Sequence, residues 1–283
     1  MKILRDADLK GFSTMRLDAR GSVLYEPESV EELQSLARDL AAGGTKCHWV
    51  GAGSNVVFGE RVETPIVSLM RVDDRIENLG GGRYRAGCSV RIQRLIRDAQ
   101  KAGFGGIEYL FSLPASVGGC VVMNAGRGRG PAIVDVLEEV ELLDWKTGEI
   151  RREPVDKTAF GHRVSPYQSN GCVVLSAVLR LAPQPPEVTE QRIRERLETS
   201  RKHLDAGFPS CGSVFHRGNR WIFQVFRMLH PRSGGLAFSK KTSNWIGNRG
   251  GGTLADFKRL AGKMQRAHHL MGQSCELEIR VFE

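Results

Sequence analysis

Apolar residues recur at helical spacing in two segments of the first half of the chain. In residues 28–43 they follow Ser29, a residue type that caps helices, and acidic residues occupy the first turn; the recurring apolar positions are Leu33, Leu36, Ala37 and Leu40. Residues 91–103 repeat the pattern and end at Gly103, a residue type common just after a helix. The spacing therefore predicts two amphipathic helices.

Shorter apolar runs, rich in β-branched residues, alternate with these helices. They predict strands at 65–73, 83–90, 134–144 and 172–182, and a further strand within 46–58 that enters a glycine turn. This mixture of helices and short strands predicts an α+β fold.

The segment 182–189, APQPPEVT, interrupts the pattern with three prolines. Proline does not fit inside a helix or a central strand, so the segment predicts a linker and a domain boundary. A charged helix at 189–204 should follow it. A second α/β unit comes next, with strands around 212–215 and at 275–282, an apolar-rich segment at 221–229 and a helix at 254–264.

The composition is that of a soluble globular protein of two or three domains. The chain has 283 residues, 41% of them hydrophobic and 26% charged. The charged first residues are not those of a signal peptide, and no window reaches the roughly 18 apolar residues of a membrane helix. Six cysteines lie far apart, and His268 and His269 point apart on a predicted helix end. We therefore expect a cytoplasmic protein with reduced thiols, no metal and no membrane partner.

The formal net charge is +9, and Lys and Arg are spread along the chain. A nucleic-acid-binding protein and a basic enzyme that binds phosphate-bearing small molecules both fit this charge. Because no single basic block is present, we expect no nucleic-acid partner.

The first glycine motif, GAGSN, follows a predicted strand. It lacks the third glycine and the opening helix of a dinucleotide-binding fingerprint. Its backbone N–H groups are suited to grip a phosphate in a tight turn, and an ordinary turn is the alternative. The candidate binding residues are Gly51, Ala52, Gly53, Ser54 and Asn55.

The second glycine motif, SLPASVGGCVVMNAG at 112–126, combines few charges with small residues and backbone donors. Its glycines allow a ligand to approach the main chain closely. Two uncharged glycine turns suit a long ligand with a pyrophosphate in its middle; a buried turn packed against a strand is the alternative. The candidate binding residues are Pro114, Ser116, Gly118, Gly119, Asn124, Ala125 and Gly126.

Three further residues carry groups suited to chemistry. Arg163 lies among apolar and small residues in FGHRVSPY. A guanidinium partly shielded from water there is suited to bind a carboxylate through two hydrogen bonds, and a surface salt bridge is the alternative. Ser213 in CGSVFHRG is either a packed strand serine or a proton donor. Glu278 shares one face of the predicted terminal strand with Glu276 and Arg280, where exposed edge charges are the alternative.

Six motifs occur in one order: GAGSN, SLPASVGGCVVMNAG, H-R-V-S, GSVF, GG-x-x-FS-x-x-x-x-NW-x-x-N and E-L-E-I-R. In that order they resemble the UDP-N-acetylenolpyruvoylglucosamine reductase family, in its short type without an extra tyrosine-bearing loop. The resemblance implies a vanillyl-alcohol-oxidase/PCMH-type FAD-binding domain in two subdomains and a C-terminal α/β substrate-binding domain. The implied limits are 1–72 and 73–182 for the subdomains, 183–274 for the substrate domain and 275–283 for a strand that returns to the FAD domain.

The resemblance also implies an activity. The enzyme would bind FAD, take electrons from NADPH and reduce a UDP-sugar to UDP-N-acetylmuramate in peptidoglycan synthesis, acting as a monomer. Carried over residue by residue, Arg163 is the active-site arginine, Ser213 the proton donor and Glu278 the active-site glutamate. The two glycine motifs are the FAD-binding turns.

Several substrate-side positions depart from the family pattern. His162 stands where the family has Tyr, Thr242 where it has His, and the run from His216 to Gly218 where it has Lys-Asn-Pro. We assign substrate contacts to His162, His216, Arg217 and Asn244. The alternative function is a paralogous flavin oxidoreductase acting on a different sugar or small acid.

Overall fold

A computed structural model of the chain describes residues 1–128, 130–169, 171–205 and 207–283. Helices and strands alternate along these residues, which confirms the α+β prediction. The helices are α1 Val30–Ala42, α2 Ile92–Lys101, α3 Val117–Val122, α4 Pro186–His203, α5 Arg220–Leu229 and α6 Leu254–Leu270. The strands are β1 Lys2–Asp8, β2 Arg20–Glu26, β3 His48–Val50, β4 Val56–Phe58, β5 Arg61–Val62, β6 Ile66–Ser68, β7 Ile76–Gly80, β8 Arg83–Gly87, β9 Phe104–Gly105, β10 Leu137–Asp144, β11 Ile150–Pro154, β12 Cys172–Arg180, β13 Ala182–Pro183, β14 Ser210–Ser213, β15 Phe215–Arg217, β16 Arg232–Ser233, β17 Leu236–Phe238, β18 Trp245–Asn248, β19 Glu276–Leu277 and β20 Arg280–Phe282.

The two helices predicted from apolar spacing are confirmed. Ser29 caps α1 by accepting a hydrogen bond from the Glu32 N–H at 3.2 Å, and the predicted apolar positions of α1 are buried. Beyond α2, Gly103 has a φ of +77°, a left-handed conformation that glycine adopts without strain. The apolar-rich segment 221–229 is also helical, and α6 runs six residues further than the sequence indicated.

The proline segment 182–189 is not a linker, so that prediction was wrong in its local structure. Ala182 and Pro183 pair with β9, and Pro186 is the first residue of α4. Proline is tolerated there because the first N–H groups of a helix have no partner within the helix.

The predicted terminal strand is also interrupted. It divides into β19 and β20, which leave Glu278 and Ile279 outside both strands. β19 pairs with β15, whereas β20 pairs in parallel with β4. The predicted face of Glu276, Glu278 and Arg280 is therefore not formed by one continuous strand.

The chain forms two compact units: residues 1–3, 25–52 and 66–200 make the first, and residues 4–24, 53–65 and 201–283 make the second. The predicted domain limits at 72, 182 and 274 remain predictions.

The first unit is built on an antiparallel sheet of order β11-β10-β12-β8-β7. Its apolar side chains pack with α2 and α3 around a core that includes Ala86, Ile96, Val117 and Leu142. A second cluster forms where α1 packs through Leu33. β3 and β6 pair in parallel, and β3 leads directly into GAGSN.

The second unit contains the sheet β14-β18-β17-β16 and the pairs β15-β19 and β20-β4. Its core joins α5 and α6 to the strands, with Phe215, Phe257 and Ile279 among the buried residues. Because β20 lies beside β4, the end of the chain returns to a strand within the first 72 residues.

Candidate active site

The two glycine motifs meet at one hydroxyl in the first unit. A Cβ added at Gly51 would lie 3.0 Å from Ser116 Oγ, and a Cβ added at Gly119 would lie 3.4 Å from the same oxygen. Apart from neighbouring atoms of the local chain, no other described atom lies within 4 Å of either Cβ. Ser116 is 1% exposed and caps α3, accepting a hydrogen bond from the Gly119 N–H at 3.4 Å. Both glycines thus present an uncovered main chain around Ser116, which suits close approach by a ligand.

Other glycines of the second motif serve packing within the protein. A Cβ at Gly118 would lie 2.9 Å from Cys88 Cβ, and a Cβ at Gly126 would lie 2.7 Å from the Pro131 carbonyl oxygen. At these two positions the alternative of a buried segment packed against other parts of the protein fits the structure. At Gly119 the interpretation as a turn open to a ligand fits.

Gly53 of GAGSN is fixed within the second unit. Gly53 has a φ of +69°, and a Cβ there would lie 2.0 Å from the Phe12 carbonyl oxygen. The Gly53 carbonyl accepts a hydrogen bond from the Thr14 N–H at 3.1 Å. Glycine is required at this position because both the conformation and the space exclude a side chain.

Arg163 lies at the tip of a tight loop in the first unit. Gly161 and Val164 exchange backbone hydrogen bonds of 3.0 and 3.1 Å, which leaves His162 and Arg163 as the two turn residues. His162 is exposed and Arg163 half-buried. Arg163 has a φ of +61°, which costs a non-glycine residue about 1–2 kcal/mol. Strain of this kind persists where the surrounding structure holds it.

Three side chains hold this loop against the end of α3. Asn124 Nδ2 donates to the Gly161 carbonyl at 2.8 Å, and Ser165 Oγ donates to the Val122 carbonyl at 2.7 Å. Gln168 Nε2 donates to the carbonyls of Val122 and Arg163, at 3.0 and 2.8 Å. Asn124 and Ser165 are buried, and these partly buried hydrogen bonds fix the backbone on both sides of Arg163.

The Arg163 guanidinium acts electrostatically on a buried thiol. Burial raises the pKa of Cys120 to about 12, and the positive charge of Arg163 opposes that rise. Cys120 packs within the core of the first unit, where burial favours the uncharged thiol.

The loop contacts lead to a stability prediction at Asn124, which is 5% exposed and has a φ of +40°. Asn124→Ala should lower the free energy of unfolding by about 2–4 kcal/mol, because it leaves the Gly161 carbonyl without its donor and places alanine in a left-handed conformation. Asn124→Gly removes the same amide without the conformational cost and should lose about 1–3 kcal/mol. Urea unfolding measures both; equal losses would show that backbone conformation contributes nothing.

Ser213 ends strand β14 in the second unit. Gly212 before it has a φ of +76°, and Ser213 pairs with Trp245 of β18. After it, the backbone is held by one amide: Asn244 Oδ1 accepts from the Phe215 N–H at 3.0 Å, and Asn244 Nδ2 donates to the Phe215 carbonyl at 2.7 Å. Asn244 therefore positions the Ser213 segment, and its predicted contact with substrate remains a prediction.

Glu278 lies where the chain changes from β19 to β20. Its N–H donates to the carbonyl of Val214, the residue after Ser213, at 2.8 Å. Its own carbonyl accepts from Asn55 Nδ2 at 2.9 Å, and the Arg280 N–H donates to the Asn55 carbonyl at 2.9 Å. The structure thus brings the backbones of Ser213, Glu278 and the last residue of GAGSN together in the second unit. Arg163 belongs to the first unit.

The predicted substrate-side residues His216 and Arg217 share a carboxylate. His216 Nε2 lies 2.9 Å from Glu276 Oε2, and Arg217 donates to Glu276 Oε1 at 3.1 Å. Arg217 is 66% exposed, which leaves its guanidinium accessible to a ligand. Thr242 donates to the His203 carbonyl at 2.7 Å.

Sequence reasoning missed the residues that hold these segments in place. Gln168 and Ser165 lie close to Arg163 in the sequence, but their partners are on α3, so no local spacing indicates them. Cys211, two residues before Ser213, donates to the Val56 carbonyl at 3.1 Å, and burial raises the pKa of its thiol. It is a structural residue beside the candidate site.

The adjacent histidines do not form a metal centre. His268 is buried and bonds to the Met264 carbonyl and the Asn219 N–H, both at 2.9 Å. Within the described ranges, no group of three or more His, Cys, Asp or Glu side chains is arranged to hold a metal. No helix in those ranges is both long and apolar enough to cross a membrane.

Comparison with known proteins gives consistent matches along the whole chain. Residues 22–153 match a family model described as an FAD binding domain. A UDP-N-acetylenolpyruvoylglucosamine reductase of Pelobacter propionicus is 32% identical, with 99% of this chain and 95% of that protein covered. Its namesake from a Synechococcus species is 34% identical over 89% of this chain and 82% of that protein.

A solved structure agrees with these matches. The crystal structure of UDP-N-acetylenolpyruvylglucosamine reductase from Thermus caldophilus covers 100% of both chains with a TM-score of 0.81 and 26% sequence identity. The similarity therefore extends over both compact units.

Proposed function

The chain belongs to the UDP-N-acetylenolpyruvoylglucosamine reductase family, and from this membership we infer its reaction. The protein is an FAD-dependent oxidoreductase that uses NADPH to reduce the enolpyruvyl group of UDP-N-acetylenolpyruvoylglucosamine in peptidoglycan synthesis. The observation that carries this conclusion is 32% identity over 99% of the chain to a reductase of that name. The predicted PCMH-type FAD-binding fold is confirmed by the family model and the solved relative.

The residues present fit the cofactor. Gly51 and Gly119 leave the main chain uncovered on either side of Ser116. Such turns suit the pyrophosphate of a dinucleotide because backbone N–H groups bind its oxygens without a competing side chain. When bound, FAD supplies the hydride that no side chain is able to provide. The other predicted FAD contacts remain proposals.

The proposed catalytic residues divide the remaining tasks. Reduction of an enolpyruvyl double bond places negative charge on the substrate carboxylate and its neighbouring carbon. Arg163 would stabilise that negative charge as it develops, and Glu278 would assist as a protonated carboxyl that donates a hydrogen bond to the enolic intermediate. Ser213 would then deliver a proton to C2 of the enolpyruvyl group.

The geometry within each unit supports these roles. The backbone of Arg163 is held on both sides by partly buried hydrogen bonds, which fix the position from which its side chain extends. The hydrogen bond between Glu278 and Val214 holds the Ser213 segment against Glu278. Fixed donors aimed at developing charge lower the reorganisation that the reaction requires.

Arg217 is proposed to meet the UDP-sugar diphosphate in place of the family's lysine. Arg217→Ala should raise the KM for the UDP-sugar about 10–100-fold and lower kcat less, because a charge-assisted hydrogen bond to substrate is lost. Glu276→Gln is the matched control, since it removes the carboxylate that Arg217 contacts but keeps the guanidinium. If the control raises KM as much as Arg217→Ala, the ion pair and not the diphosphate contact sets KM.

The test of the function is an absorption spectrum followed by two anaerobic titrations. The purified protein should show the visible bands of a flavin, NADPH should bleach them, and the UDP-substrate should restore them. Bleaching without restoration would favour a paralogue that acts on a different sugar or small acid, the alternative suggested by His162 and by residues 216–218. A colourless protein with no affinity for FAD would refute both. Cytoplasmic location and the monomeric state remain predictions.

A further inference from the structure

Helix α5 is apolar on two opposite faces. Phe223 and Phe226 are buried in the core of the second unit. The opposite face follows helical spacing and is exposed: Trp221 by 74%, Val225 by 55%, Met228 by 77% and Leu229 by 69%. A helix that is apolar on both faces is normally covered on both.

Two further exposed apolar residues lie at the end of α6, the helix whose His268 contacts the start of α5. His268 of α6 accepts a hydrogen bond from the N–H of Asn219, the cap of α5, and its ring centroid lies 4.8 Å from that of Phe223. The residues that follow in the sequence, Leu270 and Met271, are 83% and 69% exposed. We call these six residues the α5–α6 patch: Trp221, Val225, Met228, Leu229, Leu270 and Met271. Single exposed apolar residues are ordinary, but the four on α5 share one helical face, and a contiguous apolar face marks an interaction site.

The net positive charge of the chain is concentrated in residues 201–283, the segment that carries this patch. Residues 201–283 contain fourteen basic residues (Lys and Arg) and five acidic residues (Asp and Glu), which gives a formal charge of +9. Residues 1–200 contain twenty-seven basic and twenty-seven acidic residues and are formally neutral. Basic residues are therefore spread along the whole chain, but the net positive charge lies in its last 83 residues. Arg220 is exposed beside Trp221 on α5, and Lys263 and Arg266 are exposed on α6.

We propose that the α5–α6 patch docks the protein on the surface of an anionic lipid bilayer. Exposed apolar side chains, including a tryptophan, next to Arg and Lys are the combination found in helices that lie in a membrane interface. The apolar side chains would enter the boundary between headgroups and acyl chains, and the surrounding cations would pair with lipid phosphates. This contact needs no spanning helix, and it revises the expectation of no membrane partner drawn from the sequence.

Two other occupants fit less well. A second copy of the chain would bring two surfaces of the same strong positive charge together, which opposes association. A nucleic acid would satisfy the charge but would leave Val225, Met228 and Leu229 against phosphates and sugars. An anionic bilayer matches both the charge and the apolar surface.

The test is sedimentation of the flavin-loaded protein with vesicles of phosphatidylcholine, with and without about one third phosphatidylglycerol. The protein should bind the anionic vesicles, and binding should weaken when NaCl is raised from about 0.1 to about 0.5 M. Trp221→Ser with Met228→Ser should abolish binding. Arg220→Gln and Arg266→Gln should each weaken it about fivefold. Leu79→Ser is the matched control, because Leu79 is a 46% exposed apolar residue of the first unit.

Each alternative result overturns the proposal. Vesicle binding unchanged by the double Ser variant would show that charge alone is responsible. No vesicle binding, with a dimer in ultracentrifugation that the double variant abolishes, would assign the patch to a second copy. Binding to single-stranded RNA but not to vesicles would assign the charge to nucleic acid. Because the altered residues are exposed, flavin absorbance and melting temperature should stay at their original values in every variant.

Discussion

Ser213→Ala should leave reduction of the flavin by NADPH unchanged and slow the subsequent reoxidation by the UDP-substrate about 10²–10⁴-fold. Removing a positioned proton donor affects only the step in which the proton is transferred. The hydroxyl sits at the end of β14, where Asn244 and the Glu278 N–H fix the next two residues. Loss of one oxygen at this half-exposed position should change stability little.

The two half-reactions separate this role from a structural one. Stopped-flow absorbance measures flavin reduction and reoxidation in turn, and Ser210→Ala, at the other end of the same strand, is the matched control. Equal slowing of both half-reactions by Ser213→Ala would show that the substitution disturbs cofactor binding and would exclude the proton-donor role. In D₂O, the reoxidation step of the original protein should slow, whereas the residual rate of the variant should not show the same isotope effect.

The helices with a clear apolar period and the strands marked by apolar runs could be predicted because their signals are local. The glycine-rich helix α3 and the strands β1 and β2 were not predicted. The spacing of Leu33, Leu36 and Leu40 and the cap at Ser29 lie within one turn or two of each other, and α1 follows them. The linker prediction failed for a local reason as well. Proline is disfavoured in the middle of a helix but is favoured at the first helical position, which Pro186 occupies in α4.

The break at Glu278 could not be predicted, because alternation along a strand does not reveal its partners. The residues on either side alternate like one strand, yet β19 and β20 pair with strands far apart in sequence. The supports of Arg163 were hidden for the same reason. Asn124 was expected to contact a cofactor, but its amide bonds to Gly161, 37 residues away. Side chains that bond to a distant backbone leave no periodic pattern.

Arg163→Lys should slow reoxidation of the flavin by the UDP-substrate about 10²–10³-fold while leaving its reduction by NADPH within twofold. Lysine keeps the positive charge but lacks the planar pair of donors that a carboxylate accepts side by side. The φ of +61° at this position is as unfavourable for lysine as for arginine, so the loop should keep its conformation and the melting temperature should not change.

His162→Ala provides the comparison for Arg163→Lys, because His162 is the other residue at the tip of the same loop. If the loop acts only as a scaffold, both substitutions should have similar effects on reoxidation. If the guanidinium stabilises the developing enolic charge, His162→Ala should mainly raise the KM for the UDP-sugar, whereas Arg163→Lys should lower the rate at saturating substrate. A variant Arg163→Lys that reoxidises within twofold of the original rate would remove Arg163 from the catalytic set. In that event, the strain at this residue would need another explanation.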